Sequence, residues 1–204
     1  MEKYSVSRET FDKLKTYEAS LIEWQNKLNL VSNSSLDDAW NRHFKDSVQL
    51  FKYIPEKAKI LLDFGSGAGF PGMVLAILAS EKMPALKVRL IESIKKKTVY
   101  LNAVKELCNL NVQIINDRIE NLRTYAADVI TSRAMCNLND LLFYANKFSN
   151  RKTIMIFPKG KSYKEELSVA RKNWNFDCNI FENEINPEGV ILVISNLSAN
   201  KGGK

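Results

Sequence analysis

The chain has 204 residues, with 30 lysines and arginines against 23 aspartates and glutamates, and so a formal net charge of +7. Hydrophobic residues make up 45% and charged residues 26%, proportions of an ordinary globular protein that exclude intrinsic disorder and a disulfide-stapled miniature. No apolar run is long enough to span a bilayer, so no membrane partner is expected. The first residues, MEKYSVSRETF, lack the apolar core of a signal peptide. Cys108, Cys136 and Cys178 stand far apart without Cys-x-x-Cys spacing, which argues against a metal knuckle. A cytoplasmic protein without a bound metal is expected. The positive excess permits a nucleic-acid partner but does not demand one.

The first 58 residues read as a helical extension. Phe11, Leu14, Tyr17, Leu21, Trp24 and Leu28 recur every three or four positions, the apolar stripe of one helix. After the polar break Ser32–Ser35, Ser34 with Asp37 or Ser35 with Asp38 fits a Ser-x-x-acid cap. A second helix is expected from there, with Leu36, Trp40, Phe44, Val48 and Phe51 as its stripe and an end before Pro55.

From residue 59 to 198 the pattern becomes strand alternating with helix. KILLDF (59–64), LKVRLIE (86–92), NVQIIN (111–116), ADVITS (127–132) and TIMIFP (153–158) read as buried strands. Helices are predicted over Met73–Ala79, Ile94–Leu107, and near 138–148 and 161–172. NFDCNIFEN (175–183) and GVILVIS (189–195), joined through NEINPEG, read as an antiparallel pair. This order predicts an α/β fold, a doubly wound, mostly parallel Rossmann-like sheet with an antiparallel C-terminal edge. Residues 199–204 read as a loose tail.

The densest signal is Asp63-Phe64-Gly65-Ser66-Gly67-Ala68-Gly69-Phe70-Pro71-Gly72, at the first strand-to-helix turn, where open α/β sheets bind nucleotides. The next strand ends in Ile91-Glu92, and an acid there suits a pair of ribose hydroxyls. Two ligands compete. Gly67-x-Gly69-x-x-Gly72, with Glu92 about 20 residues on, formally satisfies a dinucleotide fingerprint. Its register is wrong for one, because a diphosphate needs the first glycine directly after the strand and an open helix N-terminus. A carboxylate at Asp63 suits a cationic ligand better, and S-adenosylmethionine carries a sulfonium and an amino group but no phosphate.

These residues resemble the small-subunit ribosomal RNA methyltransferase G family, also called glucose-inhibited division protein B. The resemblance runs through Trp24-x-x-Lys27-x-Asn29-Leu30-x-Ser32, Arg42-His43-Phe44-x-Asp46-Ser47 and the glycine loop. It continues through Ile91-Glu92-Ser93-x-x-Lys96-Lys97, Asp117-Arg118-Ile119-Glu120, Ser132-Arg133-Ala134 and Phe157-Pro158-Lys159-Gly160. The last 40 or so residues carry little that is diagnostic. The resemblance implies methyl transfer from S-adenosylmethionine to guanine N7 in 16S rRNA, free or in the small-subunit particle. It implies a cofactor site at Gly65, Phe70, Ile119, Glu120 and Arg133, to which Asp63, Gly67 and Glu92 are added from the loop and the second strand. On that reading Phe70 and Ile119 sandwich the adenine.

Guanine N7 carries a lone pair and no proton, so positioning rather than a base supplies the rate, and Arg133 is the candidate for it. No Asn/Asp-Pro-Pro-aromatic motif for an exocyclic amine follows the fourth strand, and Cys136 has no neighbour that would activate it as a nucleophile. Arg42 and Asp46 read as an ordinary i,i+4 pair, and the lone His43, beside an apolar stripe, as a packing residue. The resemblance raises the alternative that all three shape the entrance for cofactor or RNA, which makes Arg42 and His43 RNA-binding candidates and neither catalytic. Lys159 and Lys95–Lys97 are RNA-binding candidates. The chain is read as a monomer. A dinucleotide oxidoreductase and an inactive RNA-binding protein on the same fold are the alternatives.

Overall fold

The computed structural model describes residues 6–200. Helix α1 (Arg8–Gln25) opens at Ser7, whose hydroxyl accepts the Thr10 amide at 3.2 Å. The predicted stripe faces inward. Leu14, Tyr17 and Leu21 are fully buried, with Phe11, Trp24 and Leu28 packed at the margin.

The predicted second helix is broken into pieces. Ser32, not Ser34 or Ser35, precedes the short α2 (Asn33–Leu36). A π-helical turn (Trp40–Lys45), α3 (Asp46–Val48) and a 3-10 turn (Gln49–Tyr53) follow. The expected apolar stripe still faces the core. Across this π turn and the start of α3, His43, Phe44 and Asp46 are all buried.

The rest is one seven-stranded sheet in the order β3-β2-β1-β4-β5-β7-β6. Its strands are β1 (Ile60–Phe64), β2 (Lys87–Ile91), β3 (Val112–Ile115), β4 (Val129–Ser132), β5 (Ile154–Lys159), β6 (Trp174–Glu182) and β7 (Val190–Ala199). The first five are mutually parallel, and β7 runs antiparallel to both β5 and β6. Helices α4 (Gly72–Lys82) and α5 (Lys95–Leu107) pack with α1 on one face, and α6 (Leu138–Asn146) and α7 (Tyr163–Asn173) cover the other. β1 divides its side chains accordingly. Leu61 joins the first core, and Leu62 and Phe64 join the second. The tail expected from residue 199 starts later, since β7 includes Ala199 and Asn200 bonds to the carbonyls of Asn173, Arg171 and Lys172. Residues 201–204 lie outside the described region.

The N-terminal segment is built into the site. The buried phenol of Tyr17 donates to the carbonyl of Ala68 in the glycine loop, and its ring stacks on Phe70 with centroids 5.2 Å apart. Tyr17→Phe keeps the packing but leaves that carbonyl unpaired. The expected cost is about 1–2 kcal/mol, read as a lower urea midpoint at unchanged slope.

Candidate active site

The glycine loop lies at the carboxyl ends of β1 and β2, held by the Ser66 amide donating to Ile91 O at 3.1 Å. Two carboxylates grip it from behind. Glu92 accepts the Gly67 amide at 2.9 Å through one oxygen and the Ile94 amide at 2.7 Å through the other. Asp63 is fully buried, accepts the Thr131 hydroxyl at 2.7 Å, and lies against Gly72, the first residue of α4. Burial pushes the Asp63 carboxyl up to about 6, against the hydrogen bonds that hold it down. The positions where a diphosphate would meet a loop amide and a helix N-terminus are thus taken by acids. Dinucleotide binding does not fit this loop. Asp63 corrects one expectation: it reaches no ligand surface and acts through the loop it supports.

A cavity of about 210 Å³ opens beside the loop, lined by Gly65, Glu92, Ile119, Glu120, Met135 and Tyr144 among others. Its charged groups are Glu92, Asp117, Glu120 and Arg118, a donor set suited to a ligand with hydroxyls and cationic centres. Gly65 (φ 61°) forms its inner wall. A Cβ there would lie 2.8 Å from Cγ of Met135, so a side chain would be strained in this backbone conformation and would have to displace Met135. The Glu120 carboxylate is held below the usual range by its own backbone N–H and then by the Tyr144 hydroxyl, which it accepts at 3.0 Å. Chemistry and shape fit S-adenosylmethionine, with Ile119 on the apolar wall and Glu92 at the end of β2.

Phe70 is elsewhere. It belongs to the core on the α4 side of the sheet, while Ile119 belongs to the other core, so the structure does not bring the expected adenine sandwich together. Instead Phe70 is stacked between Tyr17 and His43, whose centroid is 5.0 Å away, with the Arg133 guanidinium 5.1 Å over its ring. Arg133 Nη2 donates to His43 Nδ1 at 2.9 Å, and Nη1 reaches Arg42 O at 3.1 Å and Asp46 Oδ2 at 3.4 Å. An imidazole that accepts at Nδ1 carries its proton on Nε2, which then donates to Ser35 Oγ at 3.0 Å. Burial, followed by Arg133 and Arg42, lowers the His43 pKa to about 4. His43 is neutral at physiological pH, and both its nitrogens are committed.

The sequence profile of the rRNA small subunit methyltransferase G family matches residues 10–186. The chain belongs to that family. It is 38% identical over 194 residues to the ribosomal RNA small subunit methyltransferase G of Ruegeria pomeroyi, covering 95% of each chain. It is 40% identical over 200 residues to that of Parvibaculum lavamentivorans, covering 97% of this chain and 88% of the relative. In fold it is similar to an O-methyltransferase from Bacillus cereus solved in complex with SAH, with TM-score 0.61, 17% identity, and coverage of 89% and 91%.

Within this family member the basic residues separate by environment. Arg133 lines both a cavity of about 540 Å³ over the glycine loop and an outer cavity of about 750 Å³ beyond β4 and β5. Arg42 lines both too, exposed, with its guanidinium on Ser34 O at 3.2 Å. The expected Arg42–Asp46 pair is replaced by Arg133–Asp46. Lys95 and Lys96 point to solvent, whereas Lys97 is half-buried and lines the loop cavity. Lys159 is not a free phosphate contact, because it is largely buried and pairs with Glu166 at 2.8 Å while donating to Cys136 O at 3.1 Å. Burial raises the Cys136 thiol to about 11, which rules against a thiolate nucleophile. Among the described residues no cluster of metal-ligating side chains occurs, and no helix is long and apolar enough to cross a membrane.

Sequence reasoning missed Met135 as a wall of the site. Its placement depends on Ala134 at φ 54°, a left-handed residue that sends Arg133 one way and Met135 back over Gly65. It also missed Asn183, which bonds Asp46 from the turn after β6; the NEINPEG segment had offered only a turn signal.

Two measurements check this geometry. The His43 ring nitrogens, followed by ¹⁵N NMR, should show an Nε2–H tautomer at pH 6 and titrate near 4 instead of near 6.5. Because the folded pKa lies below the unfolded one, the His43 contribution to stability is complete above about pH 6.5 and is lost as pH falls toward 4. Gly65→Ala should weaken S-adenosylhomocysteine binding at least about tenfold by calorimetry, since strain of about 1–2 kcal/mol adds to the clash with Met135.

Proposed function

We propose that this chain transfers a methyl group from S-adenosylmethionine to N7 of a guanine in 16S rRNA, acting as a cytoplasmic monomer on the RNA or the small-subunit particle. The observation that carries the choice of donor is the acidic lining of the small cavity, Glu92, Asp117 and Glu120 against Arg118, with the Gly67 amide already taken by Glu92, which suits a cationic ligand and not a diphosphate. Membership of the family supports rRNA as the acceptor. When bound, S-adenosylmethionine supplies an electrophilic methyl group on a sulfonium.

The chain's own residues supply binding and orientation. Glu92 holds Gly67 and faces the small cavity, Ile119 offers it an apolar wall, and Gly65 lets the ligand approach the backbone. Guanine N7 needs no base to prepare it, which agrees with a His43 committed at both nitrogens and a Cys136 kept as a thiol. Arg133 lies between the loop cavity and the outer cavity, and we assign it to orienting the target base and balancing charge near the reacting atoms.

The outer cavity of about 750 Å³ is large enough for a nucleotide taken out of its stack. N7 lies on the major-groove edge, which A-form RNA hides, so the target must be looped out or flipped. Exposed Arg42 and half-buried Lys97 line these cavities and offer positive charge for phosphates, and Lys95, Lys96, Lys161 and Lys164, exposed and close in sequence to lining residues Lys97 and Gly160, are candidates to extend it.

The decisive assay incubates the protein with labelled donor and either naked 16S rRNA or small-subunit particles lacking the modification. Label should appear as N7-methylguanosine, and Arg133→Ala should lower kcat/KM by at least about 100-fold, the scale of losing one preorganised charge contact. Label on another base atom overturns the chemistry. RNA binding without transfer supports the inactive-binder reading.

A further inference from the structure

We propose that Asn183, in the turn after β6, is a positioning residue for methyl transfer, acting through Asp46 to set the guanidinium of Arg133. The inference rests on the role given to Arg133 above.

Asn183 is buried, and both its amide oxygen and its amide nitrogen have partners. Nδ2 donates to Asp46 Oδ1 at 2.8 Å. Oδ1 accepts from Gln49 Nε2 at 2.9 Å and from the amides of Ile185 at 2.9 Å and Asn186 at 2.8 Å. Gln49, fully buried in the N-terminal segment, donates to the same Asp46 oxygen at 3.0 Å and accepts the Glu184 amide at 3.0 Å. Two side-chain amides therefore converge on Oδ1 of Asp46. The carboxylate is fixed in rotation, and Oδ2 is left facing Arg133 Nη1 at 3.4 Å.

Anchoring a surface turn does not explain this arrangement. Burying an aspartate, a glutamine and an asparagine is costly unless every group is satisfied, and apolar side chains of similar size would hold the turn as well. Apolar side chains would not aim a carboxylate. The guanidinium so aimed has a second fixed partner in His43, a third in Arg42 O, and Phe70 beneath it. Arg133 is thus held from four sides, and the side contributed by the C-terminal hairpin runs through Asn183.

Three segments far apart in the chain meet here: residue 46 precedes the sheet, 133 follows β4, and 183 follows β6. Asn186, on the same turn, lines both the loop cavity and the outer cavity. A shift of this turn would therefore change Arg133 and the cavity wall together.

The test is Asn183→Asp. This variant keeps the oxygen that accepts the Gln49, Ile185 and Asn186 donors, so the turn stays anchored. It replaces the donor to Asp46 by a second carboxylate. The charged or titratable groups around that pair are Arg133 after β4, Arg42 and His43 on the N-terminal segment, and Glu184 and Glu188 on the turn; Glu184 pairs with Lys52 at 2.9 Å. Two carboxylates in contact share a proton more readily than either alone. Methylation by Asn183→Asp should fall at least about tenfold at pH 8, the scale of one buried network contact, and recover toward wild type as pH falls to 6. In an Arg133→Lys background the same change should cost little more, whereas independent roles would multiply.

Gln49→Glu, which removes the other donor to Oδ1, should behave alike and serves if Asn183→Asp does not fold. A loss that is equal at all pH values, or that multiplies with Arg133→Lys, overturns the inference. So does undiminished activity. If wild-type protein methylates no guanine N7, the functional reading fails first, and that result is separate from any effect of the variants.

Discussion

The glycine loop is the constraint on which the site depends, because its polar backbone must be satisfied without an anion. Glu92 occupies one loop amide and Asp63 sits at the head of α4, so the loop is closed from behind by negative charge. This fixes its conformation and gives the adjoining cavity its sign. It also separates the positive surplus of the chain from the ligand pocket. Among the described residues Arg118 is the only basic one that lines the small cavity, in a chain with a formal net charge of +7.

The N-terminal helical segment is a working part of this site. Tyr17 bonds the loop carbonyl of Ala68, and the π turn brings His43 and Asp46 to Arg133. His43 and Asp46 are three positions apart, a spacing that puts two side chains on one side of a helical segment, and both are buried. The irregular turn buries polar groups, and these are retained because each has a partner. His43, which would be a proton carrier in solution at neutral pH, becomes a neutral hydrogen-bonding spacer between Ser35 and Arg133.

Much of the fold was legible because it rests on local periodicity. Apolar runs of strand length ending at glycine or acid marked β1 and β2, and the stripe from Phe11 to Leu28 marked α1. The parallel order followed from alternation of strand and helix, and the antiparallel edge from two strands joined by a short Pro-Gly turn. The stripe Leu36, Trp40, Phe44 and Val48 recurs every four positions and so reads as one continuous helix, and that periodicity carries no sign of the π turn at Trp40–Lys45. Motif and position singled out Gly65, Glu92 and Ile119, which line one cavity, and Gly67, which lines the cavity over the loop. The surroundings of Phe70 and Lys159 were not legible, because adjacency in a motif does not say on which face of the sheet a side chain falls or which carboxylate lies within reach.

The sequence by itself determined the chain's class: a doubly wound sheet, a glycine loop flanked by acids, and motifs that mark one methyltransferase family. These are written in local spacing, and spacing survives without coordinates. Only the tertiary structure decided that Asp63 supports the loop instead of touching a ligand, that Lys159 is already paired, and that residues 46, 133 and 183 form one network. Those facts depend on how segments far apart in the chain pack through two cores, and burial then dictates which charges must be partnered.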